Sequence, residues 1–320
     1  MKILITGSCG FIGFNLAEKL LKVKKNKVCG IDNINSYYSV KLKKERLKVL
    51  CKNKNFKFYK VDICKFEKLS KIIKKFKPDI IFNFAAQAGV QYSMKYPKKY
   101  LENNINGFFN ILEISKQLKI KKIIYASSSS VYGDQKKSPL KENLLLAPKN
   151  FYGMSKKNNE EMAQIYSELY GVKTIGLRFF SVFGEWGRPD MIIFKLLKAI
   201  KDNKKFYLNN YGNHYRDFTY IKDVIEALDK LRKINFSNKK SFIFNICSNK
   251  SVKVSSMINF ISAQVYSKPN IVLRKFQLGD IYKTHGSNNN LKKHIKIKFT
   301  EFYPALLKTI NWNKKYLKLK

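Results

Sequence analysis

The sequence has 320 residues, is 45% hydrophobic and carries 64 Lys and Arg against 22 Asp and Glu, a formal net charge of +42. This apolar content is that of a globular protein with a large core. No apolar run approaches the roughly 18 residues of a membrane-spanning helix, so the sequence predicts no such helix. Because the first residues already form a predicted strand, with no signal peptide, we expect a cytoplasmic protein without a membrane partner.

The positive charge does not by itself predict a nucleic-acid-binding protein. Only six of the basic residues are Arg, and the Lys residues are spread over helix faces and loops instead of one element. Lys, Asn, Ile and Phe all have A/T-rich codons, so a biased genome explains this composition. We predict no specific nucleic-acid partner, and only weak binding to polyanions at low salt.

The composition also disfavours metal chemistry. The sequence has three histidines, and its five cysteines are Cys9, Cys29, Cys51, Cys64 and Cys247. The cysteine spacing matches no metal motif and no disulfide pattern. We therefore expect reduced thiols and no metal site.

Apolar strands and amphipathic helices alternate along the first 180 residues. Strands are predicted at 2–6, 27–32, 56–61, 79–85, 122–127 and 173–180, with helices starting at 11 and near 40–51, 66–76, 98–118 and 150–170. This βαβ alternation predicts an α/β fold, in which a doubly wound parallel sheet is built with right-handed crossovers. Ligands bind such a sheet beyond the carboxyl ends of its strands.

A glycine-rich loop follows the first strand. Gly7, Gly10 and Gly13 come between that strand and a helix that opens with Phe11 and Ile12. Glycines in this place leave backbone N–H groups bare at a helix N-terminus, where they bind a pyrophosphate. A loop that only packs the helix on the strand is the alternative. Together with the βαβ alternation, the loop predicts a Rossmann-type dinucleotide-binding unit.

Carboxylates follow the second and third strands. Asp32 lies about 20 residues after the glycine loop, where a carboxylate accepts both ribose hydroxyls of adenosine and repels a 2′-phosphate. This position favours NAD over NADP. Asp62 and Ile63 are expected to flank the adenine, by a hydrogen bond and by packing respectively. The alternative for either Asp is an ordinary residue at a strand end or turn.

Hydroxyl groups follow the fifth strand. Ser127, Ser128 and Ser130 can hydrogen-bond a sugar hydroxyl and orient it toward a base, although a Ser-rich turn alone would also explain them. Downstream, Tyr152 and Lys156 lie one turn apart on one face of a helix. A nearby ammonium lowers the pKa of a phenol from about 10, so Tyr152 is a candidate base. In isolation, such a pair would be a surface pair.

The alternation changes after residue 180. Helices are predicted near 190–202, 221–233, 255–266 and 303–312, with strands at 206–208 and 242–246. We expect residues 1–180 to form the dinucleotide-binding domain, with a return near 214–247. Residues 181–320 are expected to form a smaller, interleaved substrate lobe with a frayed tail at 314–320.

Taken in order, these motifs resemble the extended short-chain dehydrogenase/reductase superfamily, in its nucleotide-sugar epimerase/dehydratase branch. The resemblance covers the whole chain and rests on the glycine loop, Asp32, Asp62-Ile63, Ala85-Ala86-Gln87-Ala88-Gly89, Ser127–Gly133 and the pair Tyr152/Lys156. Two more specific segments, residues 32–38 and 178–191, are similar to those of UDP-glucuronate 4-epimerases.

The resemblance implies a role for each residue that matches the family pattern. NAD would also be contacted by Asn33, Ala85, Ala86 and Gln87. Tyr152 would be the general base and Lys156 its activator and a ligand of the nicotinamide ribose. Ser128 would assist at the sugar O4, with Ser127 and Ser130 as neighbours.

The same resemblance implies a UDP-sugar substrate. Ser181 and Arg188 would meet the sugar carboxylate, Arg216 the phosphates and Asp280 the uridine ribose, with Ser93 as a further substrate residue. It also implies a homodimer, in which the helices near 98–118 and 150–170 pack between subunits. The chain departs from the family pattern at Gln91, where Arg is frequent, and at residues 286–289.

The implied activity is the reversible C4 epimerisation of UDP-glucuronate to UDP-galacturonate through a transient 4-keto sugar. A UDP-glucose or UDP-N-acetylhexosamine 4-epimerase would use Tyr152 and Lys156 without a carboxylate clamp. A UDP-glucuronate decarboxylase and an NAD-binding sensor or scaffold without turnover are further alternatives. A 4,6-dehydratase is disfavoured, because the Asp-Glu pair of that family is absent after the catalytic hydroxyl.

Overall fold

The computed structural model describes residues 1–234 and 241–319. The strands are β1 (Lys2–Thr6), β2 (Lys27–Asp32), β3 (Phe56–Lys60), β4 (Ile80–Asn83), β5 (Ile123–Ser128), β6 (Thr174–Phe179), β7 (Ser181–Phe183), β8 (Phe206–Asn209), β9 (Tyr215–Tyr220), β10 (Ser241–Ile246), β11 (Ser251–Lys253) and β12 (Ile271–Arg274). The α-helices are α1 (Phe11–Leu21), α2 (Val40–Cys51), α3 (Phe66–Phe76), α4 (Val90–Lys95), α5 (Pro97–Tyr100), α6 (Gly107–Gln117), α7 (Phe151–Tyr170), α8 (Ile192–Lys201), α9 (Ile221–Leu231), α10 (Val254–Gln264), α11 (Asn289–His294) and α12 (Phe302–Leu317).

Seven strands form the main sheet in the order β3-β2-β1-β4-β5-β6-β10, and every neighbouring pair is parallel. The predicted doubly wound parallel sheet is therefore confirmed. Because side chains alternate across a strand, Ile3 and Ile5 pack into one apolar core with α1 and α9, whereas Leu4 packs into a second core with α3 and α6. Each fully buried side chain of this size contributes about 1.5–3 kcal/mol to stability.

The shorter elements after residue 180 form a second, smaller lobe. In this lobe β7 pairs in parallel with β9, β9 pairs antiparallel with β11, and β12 pairs in parallel with β8. The chain then returns to the main sheet, because β10 joins β6. The loops at the carboxyl ends of β1, β2, β4, β5 and β6 face this lobe and line a cavity of about 550 Å³ with it.

The predicted single helix at 98–118 is wrong. It is divided into α5, a π-helical turn at Leu101–Asn106 and α6. Pro97 starts a new helix because its ring nitrogen carries no N–H. The wider π turn places Asn104 beside the cavity, where its side chain accepts from the Gln87 N–H at 2.7 Å and donates to the Gln87 carbonyl at 3.0 Å.

The C-terminal end also differs from the prediction. The tail expected to fray from residue 314 is helical through Leu317, and Lys320 lies outside the described residues. Tyr316 stacks on Trp312, with ring centroids 4.9 Å apart, and donates a hydrogen bond to Glu45 at 2.7 Å. The strands β7, β9, β11 and β12 escape the sequence pattern because they have only three to six residues. No helix in the described part of the chain combines the length and apolar character needed to cross a membrane.

Candidate active site

The glycine loop lies at the N-terminus of α1, against the loop that follows β4. Gly7 has a φ of +68°, and a Cβ there would come within 2.7 Å of the Ala85 nitrogen. A Cβ on Gly13 would lie 2.2 Å from the Gly7 carbonyl oxygen, and one on Gly10 would lie 2.9 Å from the same oxygen. Only glycine fits these positions, so the loop is a cradle of bare backbone that suits a pyrophosphate.

Asp32 lies at the end of β2, on the cavity wall. Its Oδ2 accepts from the Cys9 N–H at 3.0 Å and its Oδ1 from the Ile34 N–H at 2.7 Å. Burial raises the pKa of this carboxyl, and the Ile34 and Cys9 amides and the nearby Lys43 counteract part of the rise. The carboxylate is therefore fixed beside the glycine loop, where the adenosine ribose of a dinucleotide would lie.

Asp62 and Ile63 line the same end of the cavity. Asp62 accepts hydrogen bonds from the Asn33 side chain at 2.8 Å and from the Cys64 N–H at 2.9 Å. Burial opposes ionisation of Asp62, yet these donors hold its pKa below the ordinary value. Ile63 packs against Gly107, where a Cβ would lie 2.6 Å from the Ile63 methyl group. Asn33, Asp62 and Ile63 are thus joined in one wall, as an adenine site requires.

Tyr152 and Lys156 lie near the start of α7, which is capped by Asn150 through its acceptance of the Gly153 N–H at 2.8 Å. Burial raises the pKa of the Tyr152 phenol, whereas a hydrogen bond with Ser128 and the charge of Arg188 lower it. Lys156 donates to the Ala126 carbonyl at 2.9 Å. Burial lowers the pKa of Lys156 to about 8, and the Glu160 carboxylate opposes this shift.

The three predicted serines have different surroundings, although all of them line the cavity. Ser128 accepts from the Ser130 N–H at 3.1 Å and faces Tyr152, which suits a role at the reacting hydroxyl. Ser127 donates its hydroxyl to Glu160 at 2.5 Å. Because the Ser127 proton is directed at Glu160, its hydroxyl can only accept a hydrogen bond from a sugar, whereas the Ser128 hydroxyl faces Tyr152.

Glu160 and Arg178 form a buried pair behind these serines that the sequence analysis does not include. Arg178 donates to the two oxygens of Glu160 at 2.9 and 2.7 Å, and also to the Tyr132 hydroxyl at 2.8 Å. The sequence feature that could have pointed to Glu160 is its spacing, because Glu160 follows Lys156 by four residues, as Lys156 follows Tyr152. The pair places a carboxylate beneath Lys156 and anchors β6 to α7.

Arg188 lies in the segment 185–190, which we call the Arg188 arm. Its Nε donates to Asp190 at 3.0 Å and its Nη2 bonds the second oxygen of the same carboxylate. Tyr37 donates to Asp190 at 3.1 Å, and its ring lies beside the Arg188 guanidinium. Burial opposes the Arg188 charge, but Asp190 more than compensates and raises the Arg188 pKa. Ser181, at the start of β7, lines the cavity with Arg188.

Arg216 and Asp280 lie at the opposite end of the cavity. Arg216 donates to the Tyr215 and Tyr282 carbonyls at 2.9 and 3.0 Å. Burial lowers the Arg216 pKa to about 10, and the charge of Asp280 opposes this effect. A phosphate group at this end would offset the same cost by pairing with the guanidinium.

Asp217, the residue after Arg216, holds the lobe side of the site together. One oxygen accepts from the Ser248 N–H at 2.8 Å and the Ser248 hydroxyl at 2.7 Å, and the other accepts from the N–H groups of Asn249 and Gly286 at 3.1 and 3.2 Å. Burial raises the Asp217 pKa to about 6 despite these donors. The carboxylate therefore joins three segments of the lobe around Arg216.

Comparison with known proteins places this site in a family. The model of the NAD dependent epimerase/dehydratase family matches residues 3–247. Protein CapI of Staphylococcus aureus is 40% identical over 335 residues, which covers 99% of this chain and 100% of that protein. The chain belongs to the NAD-dependent epimerase/dehydratase family.

Two members of this family with a named activity align with this chain over nearly their full length. The UDP-glucuronate 4-epimerase of Thermodesulfobacterium geofontis (strain OPF15) is 34% identical, covering 99% of this chain and 97% of that protein. The crystal structure of UDP-glucuronic acid 4-epimerase from Bacillus cereus, in complex with UDP-glucuronic acid and NAD, aligns with a TM-score of 0.93 at 29% identity. That alignment covers 99% of this chain and 100% of the other.

The structure of this epimerase/dehydratase family member also places Ser93 and Gln91, the first of the two departures from the family pattern. Ser93 is fully buried, and its hydroxyl donates to the Val90 carbonyl at 2.6 Å instead of lining the cavity. Gln91 bridges to the other lobe by donating to the Leu278 carbonyl at 3.2 Å and to Asp280 at 3.1 Å.

The second departure from the family pattern, at residues 286–289, lies in a segment that is held against the end of β10. Asn288 is buried and donates to the Cys247 carbonyl at 2.9 Å, which ties the segment to the end of β10. Thr284, just before it, lines the cavity, although no sequence motif marks it. Residues 286–289 themselves are not among the residues that line the cavity.

Proposed function

We propose that this chain is a NAD-dependent UDP-glucuronate 4-epimerase, which interconverts UDP-glucuronate and UDP-galacturonate. The observation that carries the proposal is the position of Arg188, whose guanidinium lines the cavity close enough to Tyr152 to lower its pKa. An Arg beside the catalytic phenol suits a substrate with a carboxylate on the carbon next to the reacting centre. The UDP-glucuronate 4-epimerases among the relatives support the same substrate.

The residues of the cavity fit bound NAD. The bare backbone of Gly7, Gly10 and Gly13 would hold the pyrophosphate, and Asp32 the adenosine ribose, while Asp62 and Ile63 would flank the adenine. The loop at Ala85, Ala86 and Gln87 would cover the dinucleotide from the β4 side, and Asn33 would support Asp62. NAD, when bound, accepts the C4 hydride of the sugar and gives it back to the opposite face.

The proton chemistry belongs to α7 and the loop after β5. Tyr152, as phenolate, would remove the proton from the sugar O4. It would return this proton after the 4-keto sugar has rotated to present its other face. Ser128 would hold the O4 hydroxyl beside the phenol, because both residues line the cavity and Ser128 lowers the pKa of Tyr152. Lys156 would act mainly through its charge and at the nicotinamide ribose, since its amine donates to Ala126 and not to Tyr152.

An epimerase that acts on UDP-glucuronate must keep the sugar carboxylate on the intermediate. The 4-keto form of a glucuronate is a β-keto acid, which loses carbon dioxide readily. Arg188 and Ser181 would hold the carboxylate so that its carbon–carbon bond is poorly aligned with the ketone. Arg188 can do this because Asp190 and Tyr37 fix its orientation. Arg216 would bind the UDP phosphates, and Asp280 the uridine ribose.

The proposal includes a homodimer in the cytoplasm. Helices α6 and α7, with the π turn before α6, expose large apolar side chains to solvent in the single chain. These are Leu101, Phe109, Ile165 and Leu169, with exposures of 45, 45, 50 and 69%. Apolar surface of this extent on two neighbouring helices suits a helical bundle between two subunits.

Nuclear magnetic resonance of the purified protein with UDP-glucuronate, without added NAD, tests the proposal. We expect UDP-galacturonate to appear and the mixture to reach a stable ratio without release of carbon dioxide. A UDP-pentose product would instead make the protein a decarboxylase. Turnover of UDP-glucose or UDP-N-acetylglucosamine alone would keep the role of Tyr152 and refute that of Arg188. NAD binding without turnover of any of these sugars would indicate a sensor or scaffold.

A further inference from the structure

A buried cation lies between the two halves of the active site, outside the cavity wall. Arg46, in α2, is 0% exposed. Its Nη1 donates to the Cys9 carbonyl and to the Tyr38 hydroxyl, both at 2.9 Å. Its Nη2 donates to the carbonyls of Trp186 and Gly187, at 2.5 and 3.2 Å. Each acceptor is a neutral oxygen, and three of the four are backbone carbonyls.

Burial of this charged side chain is energetically less favourable than burial of an apolar one. Removing a guanidinium from water is unfavourable, and an apolar side chain would occupy a core position of α2 without that penalty. What an apolar side chain cannot do is bond several carbonyls at once. The planar fork of Arg directs two donor groups at separate acceptors, which a Lys ammonium cannot reproduce with the same geometry.

One side of the fork fixes the glycine loop. Cys9 is the loop residue whose N–H donates to Asp32 at 3.0 Å, so both polar groups of Cys9 are bonded, the N–H to Asp32 and the carbonyl to Arg46. The loop is thereby held at a second point, in addition to the close packing of its glycines. The position of this loop determines where the pyrophosphate of the cofactor would lie.

The other side of the fork fixes the Arg188 arm. Trp186 has a φ of +59°, and its ring packs between Phe14 and Trp312, at centroid distances of 5.1 and 5.2 Å. The Trp186 and Gly187 carbonyls converge on Arg46, and the next residue is Arg188. The direction in which the chain enters Arg188 is therefore set by Arg46.

We propose that Arg46 is a positioning residue that locks the Arg188 arm to the glycine loop, so that the sugar carboxylate is held at a fixed place relative to NAD. This inference rests on the proposed function, because it takes Arg188 as the ligand of the sugar carboxylate. Arg46 itself touches neither the sugar nor the cofactor, because it acts through backbone carbonyls on both sides.

The experiment compares Arg46→Lys with the wild-type holoenzyme by three measurements. These are the KM and kcat for UDP-glucuronate, the inhibition constant of UDP, and the NAD retained after gel filtration. We expect the KM for UDP-glucuronate to rise about tenfold, with accelerated loss of NAD, while the inhibition constant of UDP stays within about twofold. UDP lacks the sugar carboxylate, so it reports the nucleotide end of the site alone.

Two further variants keep the test decisive if Arg46→Lys folds poorly. Tyr38→Phe removes one acceptor and leaves the guanidinium in place, so the KM for UDP-glucuronate should rise by about threefold. Tyr316→Phe is the matched control, because it removes only a hydrogen bond to the neighbouring Glu45 and keeps the ring that lies 6.2 Å from Trp186. It should leave all three measurements unchanged.

The outcomes separate this inference from the proposed function. A wild-type protein that does not convert UDP-glucuronate refutes the proposed function. A wild type that converts it, with Arg46→Lys and Tyr38→Phe unaltered in KM and NAD retention, refutes the role of Arg46 alone. An equal rise in the UDP inhibition constant also contradicts the inference, because it indicates a general loss of structure.

Discussion

The two halves of the active site are built by different means. In the half formed by the main sheet, Asp32 and Ser128 end strands β2 and β5, and Tyr152 and Lys156 share one face of α7. Regular backbone geometry places these groups, with few side-chain contacts needed. In the half that includes the smaller lobe, Arg188 lies in an irregular segment and is held by the Asp190 carboxylate. Arg216 lies in the short strand β9 and is held by the backbone carbonyls of Tyr215 and Tyr282.

The second half is held by contacts between residues far apart in sequence. Tyr37 and Asp190 are 153 positions apart, and Arg46 and Trp186 are 140 apart. Asp217 holds segments near residues 248 and 286. The groups proposed to move the proton thus lie in the regular half, whereas Arg188, proposed to bind the sugar carboxylate, is held by a polar network that single substitutions can disrupt.

The largest effect should come from the regular half, by removal of the Tyr152 hydroxyl. In Tyr152→Phe the general base is lost and the ring is kept, so kcat should fall by about a thousandfold while the bound NAD is retained. Turnover measured by nuclear magnetic resonance and NAD content by absorbance check this. Tyr170→Phe, at the exposed end of the same helix, is the control and should keep full activity. Activity of Tyr152→Phe near that of the wild type would remove this residue from the mechanism.

The irregular half should respond to Arg188→Ala with a change in product as well as rate. We expect kcat/KM for UDP-glucuronate to fall by about a hundredfold, because the carboxylate loses a bidentate partner, and carbon dioxide release to become detectable. Arg274→Ala, which removes an exposed guanidinium stacked on Tyr207, is the matched control.

A double variant sharpens this result. In Arg188→Ala, Asp190 keeps its hydrogen bond from Tyr37 but loses its ion pair with the guanidinium, so its charge repels the substrate carboxylate. The double variant with Asp190→Asn removes that repulsion, so any weakness that persists measures the lost attraction of Arg188. If either variant bound UDP-glucuronate as tightly as the wild type, the carboxylate clamp would lie elsewhere.

Asp217→Asn should weaken the irregular half without touching the chemistry. The amide offers one acceptor oxygen where the carboxylate accepts four hydrogen bonds, so we expect a loss of about 2 kcal/mol in the free energy of unfolding. Denaturant unfolding measures it, with Asp202→Asn on the surface as the control. An unchanged unfolding midpoint would show that the three segments hold together without this carboxylate.

The same residue predicts a pH dependence of stability. The Asp217 pKa is raised by burial from 3.8 to about 6 on folding. The folded protein therefore keeps a proton that the unfolded chain has lost, and the resulting stabilisation, complete below pH 3.8, is lost as the pH rises to about 6. Asp217→Asn should remove this contribution from the pH profile of unfolding.

The smallest effect should be a shift in the alkaline limb of the pH profile of kcat, that is, in the pH range where kcat falls as the pH rises. We expect Lys156 to act as an ammonium; burial lowers its pKa to about 8, while Glu160 opposes the shift. The kcat should therefore decline as the pH rises through about 8. In Glu160→Gln the limb should move to lower pH, because the supporting carboxylate is gone. A limb that stays in place in this variant would show that Lys156 does not control it.

The contrast between the two halves also explains how far sequence reasoning reaches. The glycine loop, Asp32 and the pair Tyr152/Lys156 are readable because each has a fixed spacing relative to a strand or a helix. The division of the helix at 98–118 is not readable from the sequence, since it depends on a π turn that places Asn104 beside Gln87. Asp190 and Arg46 give no local signal either, because their partners come from distant segments.

The serine cluster shows the same limit on a smaller scale. The sequence predicts hydroxyls at the end of β5 but does not distinguish them, because all three follow the same strand. Their surroundings differ only when α7 and β6 are in place, since Glu160, held by Arg178, then accepts from Ser127, while Ser128 faces Tyr152.

The most direct test of the central claim is to follow deuterium placed at C4 of UDP-glucuronate. If the C4 hydrogen leaves as hydride to NAD held in the site and returns to the other face, UDP-galacturonate should keep the deuterium at C4. Reaction of unlabelled substrate in deuterium oxide should then introduce none at that carbon. Washout of the label, or solvent deuterium at C4 of the product, would contradict the account, because the hydrogen would then have exchanged as a proton.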